Sequence, residues 1–337
     1  MQEKELLLLL YLSAFGCIIY LSIFQREDKE LLHFENEFAG LTILTVLTSK
    51  LGFSKKAITA LKKKEDGILL NSKHATVRAK ICAGDTLTIN CDDGEDEQNE
   101  KLVPSATLPD IIFEDEDIVV ANKPANMPTH PSHNHFDDTL ANSLAYYYKL
   151  QDRPFVFRSV NRLDRNTSGA VLVAKNKRAA YKLGKAMKED KIKKEYLAIL
   201  CGRPKELSGT IKTHIRRKEK SIIFREVCSE CDDSKLAITD YKVIAQSDAL
   251  SLVVAAPVTG RTHQLRLHFA HIGCPILGDD LYGKPSDLIP RHALHAYKLS
   301  FEHPTKNTTV NIFADVPEDI KNIIIDNFNT EDIKHDS

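Results

Sequence analysis

Short apolar runs separated by turn residues predict a small α/β unit at residues 33–92. Within residues 55–64 the apolar positions recur at helical spacing, which predicts an amphipathic helix. Apolar residues 68–70 and 86–89 are flanked by turn-forming Gly, Asn, Ser and Asp, which predicts two strands. We therefore expect a compact unit that is separate from the rest of the chain.

A second and larger unit is predicted at residues 108–325, where strand-like and helix-like runs are interspersed. The strand candidates are residues 111–113, 118–121, 170–174, 196–200 and 251–256, with helices at 138–149 and 176–188 and a further core run at 265–269. The order follows no regular strand–helix–strand repeat, and the chain has no glycine-rich phosphate loop or dinucleotide-binding fingerprint. The pattern predicts an α+β fold with a large mixed, mostly antiparallel sheet.

The first segment, residues 1–32, contains a run without charge at positions 6–24. Its 19 residues come close to the ~20 apolar residues that span a bilayer. Three interpretations are open: a membrane anchor, a secretory signal, and a buried helix or a natural start further along the chain. A signal is disfavoured because only one base, Lys4, precedes the run and no clear cleavage site follows. For an anchor, Arg26 and Lys29 favour a cytoplasmic body tethered to the inner face of the membrane.

The overall composition is that of an ordinary globular protein, with 42% hydrophobic and 28% charged residues in 337. The net charge of −1 by itself argues against a nucleic-acid-binding protein. Residues 92–100, however, carry six carboxylates and no base, and the rest of the chain without them has a net charge of +5. We assign residues 93–107 to an acidic linker and 326–337 to a tail. The basic remainder is compatible with a polyphosphate partner.

The cysteines and histidines do not form a recognisable metal motif. Seven cysteines, mostly isolated, indicate reduced thiols in a cytoplasmic protein. The one close pair, Cys228 and Cys231, lacks the second pair that a four-ligand zinc site needs. The histidines do not have helix-borne metal-ligand spacing and are better explained as structural or RNA-contacting; they are His130, His133, His135, His263, His268 and His271. We expect no metal.

The helix predicted at residues 55–64 is unusually basic. Its lysines are Lys55, Lys56, Lys62, Lys63 and Lys64. A solvated helix face is the ordinary explanation of such a run. The order of elements, a basic helix followed by GILLNSKHATVRAKICAGDTLTI, resembles the small RNA-binding domain first seen in a ribosomal small-subunit protein. That resemblance implies RNA binding through Lys55, Lys56, Lys62 and Lys63.

The segment with the most distinctive chemistry is Asn161–Gly169, in which Asp164 lies between Arg162 and Arg165. Neighbouring positive charge favours the ionised form of a carboxyl group. Thr167 and the residues after it allow a tight turn behind the aspartate. Taken alone, a segment of this kind is more often a capped turn with surface salt bridges than a catalytic loop.

Three further motifs occur with it in a fixed order: Asn122–Pro124, Lys194–Ala198, and Thr259–Arg266 followed by Gly278–Gly283. In order and spacing the four motifs resemble the RluA-type family of ribosomal and transfer RNA pseudouridine synthases. The resemblance extends over residues 33–315. It implies a pseudouridine synthase catalytic domain with no cofactor.

The resemblance also implies roles for individual residues. The nucleophile corresponds to Asp164, and the aromatic residue that stacks on the target base corresponds to Tyr196. Arg261 corresponds to the arginine that pairs with the catalytic carboxylate, and Arg162 to the arginine that displaces the flipped base. One position departs from the pattern, because Asn161 stands where the family usually has histidine.

The expected reaction breaks the bond between ribose and the uracil nitrogen, turns the base and rejoins it through carbon 5. A carboxylate nucleophile can hold one fragment meanwhile, by attack at the anomeric carbon or at carbon 6. The resemblance implies structured RNA as substrate, with large-subunit ribosomal RNA first and transfer RNA second. We expect a monomer without a small-molecule cofactor.

Two other functions are compatible with parts of the sequence. A glycosidase also uses a carboxylate at an anomeric carbon, but it needs a second carboxyl group, and none adjoins Asp164 in the motif. A catalytically silent RNA-binding or ribosome-assembly protein could retain the fold. The intact set of Asp164, Tyr196 and Arg261 argues against it.

Overall fold

A computed structural model gives the architecture and describes residues 31–35, 38–51, 53, 55–90, 102–132, 134–221, 223–306 and 308–328. The uncharged run at positions 6–24 lies outside these residues. Within the described parts of the chain, no helix combines the length and apolar character needed to cross a bilayer.

The first unit is a four-stranded antiparallel sheet with short helices packed against it. Its elements are β1 (Leu31–Glu35), α1 (Ile43–Thr45) continuing into a π-helical turn (Val46–Lys50), α2 (Lys55–Leu61), β2 (Ile68–Leu70), β3 (Lys73–His74) and β4 (Thr86–Asn90). The strand order is β1-β4-β2-β3. Ile58 and Leu61 of α2 are buried with the strands, as the helical spacing predicts. A Cβ at Gly67 would lie 2.0 Å from the Leu61 carbonyl oxygen, so the chain needs glycine where it leaves the helix.

The second unit contains the remaining elements. They are β5 (Ile111–Glu114), β6 (Ile118–Lys123), α3 (Leu140–Leu150), β7 (Arg158–Ser159), β8 (Ser168–Ala174), α4 (Lys177–Lys188), β9 (Lys193–Cys201), β10 (Ser208–Arg217), β11 (Arg225–Cys228), β12 (Lys235–Gln246), β13 (Leu250–Pro257), α5 (Gln264–His271), β14 (Leu294–Glu302), β15 (Thr309–Phe313) and α6 (Glu318–Asn327).

In this unit eleven described strands form one sheet in the order β11-β10-β12-β13-β9-β14-β8-β6-β5, with β15 on β14 and β7 on β8. The pairing of β14 with β8 is parallel, whereas the other pairings are antiparallel. This arrangement confirms the predicted α+β class with a large mixed, mostly antiparallel sheet.

Helices cover both faces of the central strands. Alternate residues of a strand point to opposite faces, so neighbouring residues pack against different helices. Val171 and Val173 of β8 face α3, α5 and α6, and their neighbours Ala170 and Leu172 face α4. The predicted helix over 176–188 is confirmed as α4, with the Asn176 side chain accepting the Ala179 amide at its N-terminus. The core run 265–269 belongs to a helix, α5, rather than to another strand.

The ends of this unit differ somewhat from the predicted boundaries. Asn142 of α3 donates to the carbonyl of Val103, and Ser143 donates to that of Thr107, so the last part of the predicted linker lies against the helix. At the other end α6 continues to Asn327, and the following Phe328 is buried in the core.

The backbones of β8 and β14 approach each other closely at Gly169. Gly169 has a φ of +119°, and a Cβ at this position would lie 2.3 Å from the carbonyl oxygen of Ala296. No other residue type fits this position without displacing β14. The contact fixes the start of β8, and the loop that carries Asp164 joins the sheet at this point.

Candidate active site

A cleft of about 650 Å³ opens beside the ends of β8, β9 and β13. Its lining includes the four residues that the resemblance implies: Asp164, Tyr196, Arg261 and Arg162. The sequence predicted that they are near one another, although up to about a hundred positions separate them in the chain. The cleft therefore brings a carboxylate, an aromatic ring and two guanidinium groups to one place.

The loop that carries Asp164 is fixed by hydrogen bonds to its backbone. Thr129 Oγ1 donates to the Leu163 carbonyl at 3.0 Å and accepts the Leu163 amide at 3.2 Å. Arg291 donates to the carbonyl of Asn166 at 3.1 Å. The Asp164 side chain itself is 25% exposed and faces the cleft. A carboxylate held this way cannot easily withdraw when a substrate enters.

Lys123 supports the same loop from below. Its side chain is fully buried, and its Nζ donates to the carbonyl oxygens of Pro124, Met127 and Arg165 at 2.8, 2.7 and 3.1 Å. Burial lowers the pKa of Lys123 to about 7, an effect that the Asp164 carboxylate partly offsets. The motif Asn122–Pro124 thus places a cation directly beneath the candidate nucleophile.

Asn161, where the family pattern has histidine, has a structural role. Its Nδ2 donates to the Ala170 carbonyl at 3.0 Å, and its Oδ1 accepts the Leu172 amide at 2.8 Å. The side chain therefore bonds to the β8 backbone on both sides. Because both polar atoms are occupied, it is not available for proton transfer in the cleft.

Tyr196 lies on β9 and contributes the aromatic wall of the cleft. The residue is 9% exposed. Burial raises the pKa of its phenol well above the usual value, and the nearby Asp164 carboxylate raises it further. The phenol is therefore un-ionised at neutral pH, and its ring is available for stacking.

Arg261 does not pair with Asp164 as expected. Its Nε donates instead to the carbonyl of Leu236 at 3.0 Å, and its backbone amide donates to Gln264 Oε1. Among the residues that the structure describes, the ionisable partner of Asp164 is His263, whose Nε2 is 3.8 Å from Asp164 Oδ2. The exposed Arg261 lines the cleft, and His263, two residues further along the chain, approaches the carboxylate instead.

His263 is held rigidly in that position. Its backbone has a φ of +57°, in the left-handed region that residues other than glycine seldom adopt. Its Nδ1 is 2.8 Å from the hydroxyl of Tyr282, which also accepts the amide of Arg225 at 3.0 Å. Burial lowers the pKa of His263, whereas the Asp164 carboxylate raises it; the net shift is downward.

The last motif, Gly278–Gly283, is explained by a buried ion pair behind His263. Arg266 of α5 donates to both oxygens of Asp279, at 2.7 and 2.5 Å, and both side chains are almost fully buried. Asp279 Oδ1 also accepts the amides of Leu281 and Tyr282. The pair therefore determines the position of Tyr282, which in turn holds His263.

The other sequence predictions are placed as follows. Lys55, Lys62 and Lys63 are exposed on and after α2 of the first unit, and Lys56 lies in the same helix. Within the described residues no group of three or more His, Cys, Asp or Glu side chains could hold a metal ion. His268 is buried between Thr213 and Thr239, and burial lowers its pKa to about 4, so it is a neutral structural residue.

Sequence reasoning gave no role to Tyr282 and Lys194, and it classed His263 only as a structural or RNA-contacting histidine. All three lie within the motifs that carry the family resemblance, and this location was the sequence feature that could have indicated them. Lys194 precedes Tyr196 by two positions and lines the same cleft.

The cleft combines a carboxylate and an aromatic ring with several cationic side chains. Comparison with known proteins gives the class. The sequence model of the RNA pseudouridylate synthase family matches residues 117–271. An uncharacterized RNA pseudouridine synthase of Bacillus subtilis (strain 168), YjbO, is 34% identical over 275 residues, which are 82% of this chain and 95% of that protein.

Two further relatives agree with this match. A protein of Neisseria meningitidis serogroup A named ribosomal large subunit pseudouridine synthase D is 31% identical over 318 residues, covering 90% of this chain and 83% of its own length. The solved structure of human RNA pseudouridylate synthase domain containing 1 has a TM-score of 0.53 at 32% identity, covering 61% of this chain and 83% of that one.

The chain therefore belongs to the RNA pseudouridylate synthase family. The predicted activity, isomerisation of uridine to pseudouridine in RNA, is confirmed at this level.

Proposed function

We propose that this enzyme isomerises selected uridines of large-subunit ribosomal RNA, with transfer RNA as the second candidate, and that Asp164 is its nucleophile. The observation that carries the Asp164 assignment is its place in the cleft, on a backbone loop fixed by Thr129 and Lys123 and beside the ring of Tyr196. The choice of RNA is supported by the relative named as a large-subunit enzyme.

The reaction needs no reagent beyond the protein. The bond from the anomeric carbon to N1 breaks, a bond from the anomeric carbon to carbon 5 forms, carbon 5 loses a proton and N1 regains one. No electrons are gained or lost, so the balance requires no cofactor. An ionised carboxylate can hold one fragment through the rotation by attack at either carbon.

The aromatic and basic residues suit the handling of a flipped base. Extrusion of a base costs a few kcal/mol, and stacking on Tyr196 recovers about 1–3 kcal/mol of it. Arg162 is exposed at the mouth of the cleft, where it can fill the space that the base leaves. Arg261, with its guanidinium turned to the carbonyl of Leu236, is placed to contact the RNA at the rim.

We assign the orientation of the nucleophile to His263. The Tyr282 hydroxyl accepts the Arg225 amide and still has a proton to donate to Nδ1 of the imidazole. The proton of the neutral ring is then on Nε2, which faces Asp164 Oδ2. The 3.8 Å separation is too long for a hydrogen bond, but catalytic contacts of this kind shorten when substrate binds.

The remaining assignments concern the outer parts of the chain. We propose that residues 33–92 bind RNA through Lys55, Lys56, Lys62 and Lys63, that 93–107 form a linker to the catalytic unit at 108–325, and that the enzyme is monomeric. We place it in the cytoplasm. Tethering through residues 6–24 stays a prediction, which fractionation of cells producing the full chain tests directly.

The substrate is tested by mapping pseudouridines in all RNAs of a deletion strain and its parent. We expect the loss of one or a few sites in large-subunit ribosomal RNA; losses confined to transfer RNA would shift the assignment to that substrate. With RNA carrying tritium at carbon 5 of uridine, the purified enzyme should release tritium. A glycosidase would free uracil without that release, and a silent binding protein would do neither.

A further inference from the structure

We infer that Lys194, with Lys188 at the entrance, forms a binding site for a backbone phosphate of the RNA beside the target uridine. The inference rests on the proposed function, since it adds a ligand contact to the same cleft. Neither lysine was assigned a role by the motifs.

The position of Lys194 relative to Tyr196 is fixed by the strand that carries both. Residues two apart in a strand point to the same side and are roughly 7 Å apart along it. Both side chains line the cleft. A base stacked on Tyr196 therefore has its own sugar and phosphates within reach of Lys194.

The ammonium group of Lys194 lacks an anionic partner. Within the described residues its Nζ has one polar contact, to the thioether of Met187 at 3.9 Å, and a thioether is a weak acceptor. No ion pair joins it to Asp190, although that carboxylate acts on it at longer range. Burial lowers the pKa of Lys194, and the Asp190 carboxylate offsets this effect only in part.

Two lysines that are less exposed than an ordinary surface lysine do have close polar partners. Lys175 pairs with Glu114 at 2.7 Å, and Lys123 donates to three carbonyl oxygens. A half-buried charge without a directly bound anion is costly, and an arriving phosphate would provide that partner. This contrast distinguishes Lys194 from a lysine that only supports the fold.

The route from solvent to Lys194 is open and electropositive. Lys188 is exposed on α4 and also lines the cleft. Gly260 lies beside the ammonium group, and a Cβ there would be 3.9 Å from Nζ, so this wall presents backbone. With Arg162 and Arg261 included, the cations of the cleft outnumber its two aspartates, Asp164 and Asp190. Such a surface attracts anions, and the anions that an RNA presents are its backbone phosphates.

The test compares Lys194→Gln with wild type in binding to an in vitro transcript of large-subunit ribosomal RNA at several salt concentrations. A plot of the logarithm of the binding constant against the logarithm of the salt concentration has a negative slope. Loss of one phosphate contact makes this slope less steep by about 0.7–0.9. We expect KM to rise about ten- to hundredfold, the range for losing a charge-assisted hydrogen bond, with kcat nearly unchanged. Lys194→Arg should restore the slope.

The matched control is Lys185→Gln on α4, the helix that also carries Lys188. Lys185 is exposed, lies 3.8 Å from Glu189 and is not part of the cleft lining. We expect it to leave the slope unchanged. An unchanged slope in Lys194→Gln, or an equal fall in both variants, overturns the inference. If Lys194→Gln folds poorly, Lys188→Gln serves as a second variant. We expect it to reduce the steepness of the salt dependence by a smaller amount.

A second measurement identifies the phosphate. An oligonucleotide containing the mapped uridine is made with an uncharged methylphosphonate on one side of it. Wild type should bind the methylphosphonate strand more weakly than the unmodified strand. Lys194→Gln should bind the two strands with equal affinity. If wild type modifies no uridine at all, the proposed function fails; if it modifies RNA and the two lysine results are negative, only this inference fails.

Discussion

Replacement of Asp279 should reveal how strongly the last motif supports the site. Asp279 is fully buried and accepts two hydrogen bonds from the buried Arg266 guanidinium and two from the amides of Leu281 and Tyr282. Asp279→Ala removes the buried anion and leaves the guanidinium with only the exposed Asp280 carboxylate, at 3.3 Å. Removal of one partner from such a pair costs about 3–5 kcal/mol of unfolding free energy. Since Tyr282 loses its backbone anchor, we also expect lower kcat.

The assay is urea-induced unfolding followed by circular dichroism, with Asp280→Asn as the matched control. Asp280 is 62% exposed and approaches the same guanidinium at 3.3 Å. A surface contact of this kind is worth about 1 kcal/mol or less. The reasoning is refuted if Asp279→Ala and Asp280→Asn destabilise the protein equally, or if Asp279→Ala changes the unfolding free energy by less than about 1 kcal/mol.

Three further changes have distinct expected outcomes. His263→Gln should lower kcat about tenfold, equivalent to about 1.4 kcal/mol, with KM nearly constant; a change in KM alone would contradict the assigned contact with Asp164. Gly169→Ala should lower the melting temperature sharply, because the new Cβ meets the Ala296 carbonyl, whereas Gly184→Ala on α4, where a Cβ meets nothing within 4 Å, should not. Replacing Lys55, Lys62 and Lys63 together by Gln should weaken RNA binding with kcat unchanged; unaltered binding would leave the first unit without its proposed role.

Several parts of the fold could be predicted from the sequence because local signals and burial agree there. The apolar run that forms β8 is buried throughout, and Asn176 marks the start of α4 as a capping residue should. The fold class followed from the order of such elements. The meeting of Asp164 and Tyr196 in one cleft followed from the resemblance and not from local pattern.

The core run 265–269 was predicted to be buried, but its local pattern does not reveal that it forms a helix. Its apolar and polar residues alternate, which is typical of a strand with one exposed face. In the structure Arg266 and His268 are buried as well, satisfied by Asp279 and by two threonines, so the alternation does not report exposure. Partners from distant segments decided the conformation.

The contact of Asp164 with His263 rather than Arg261 has a similar cause. The Arg261 guanidinium is drawn to the carbonyl of Leu236 at the start of β12, and its amide is tied to Gln264. His263 is turned inward by a left-handed backbone and by Tyr282, which is 19 residues further on. Neither preference is visible in the spacing of the motif.

The central claim is that the Asp164 carboxylate attacks the nucleoside, and Asp164→Asn tests it most directly because the amide keeps the shape and removes the nucleophile. The measurement is tritium release from carbon-5-labelled ribosomal RNA under single-turnover conditions. The account predicts a fall in rate of at least about a thousandfold, with RNA binding retained. Release at a rate close to that of wild type would contradict it.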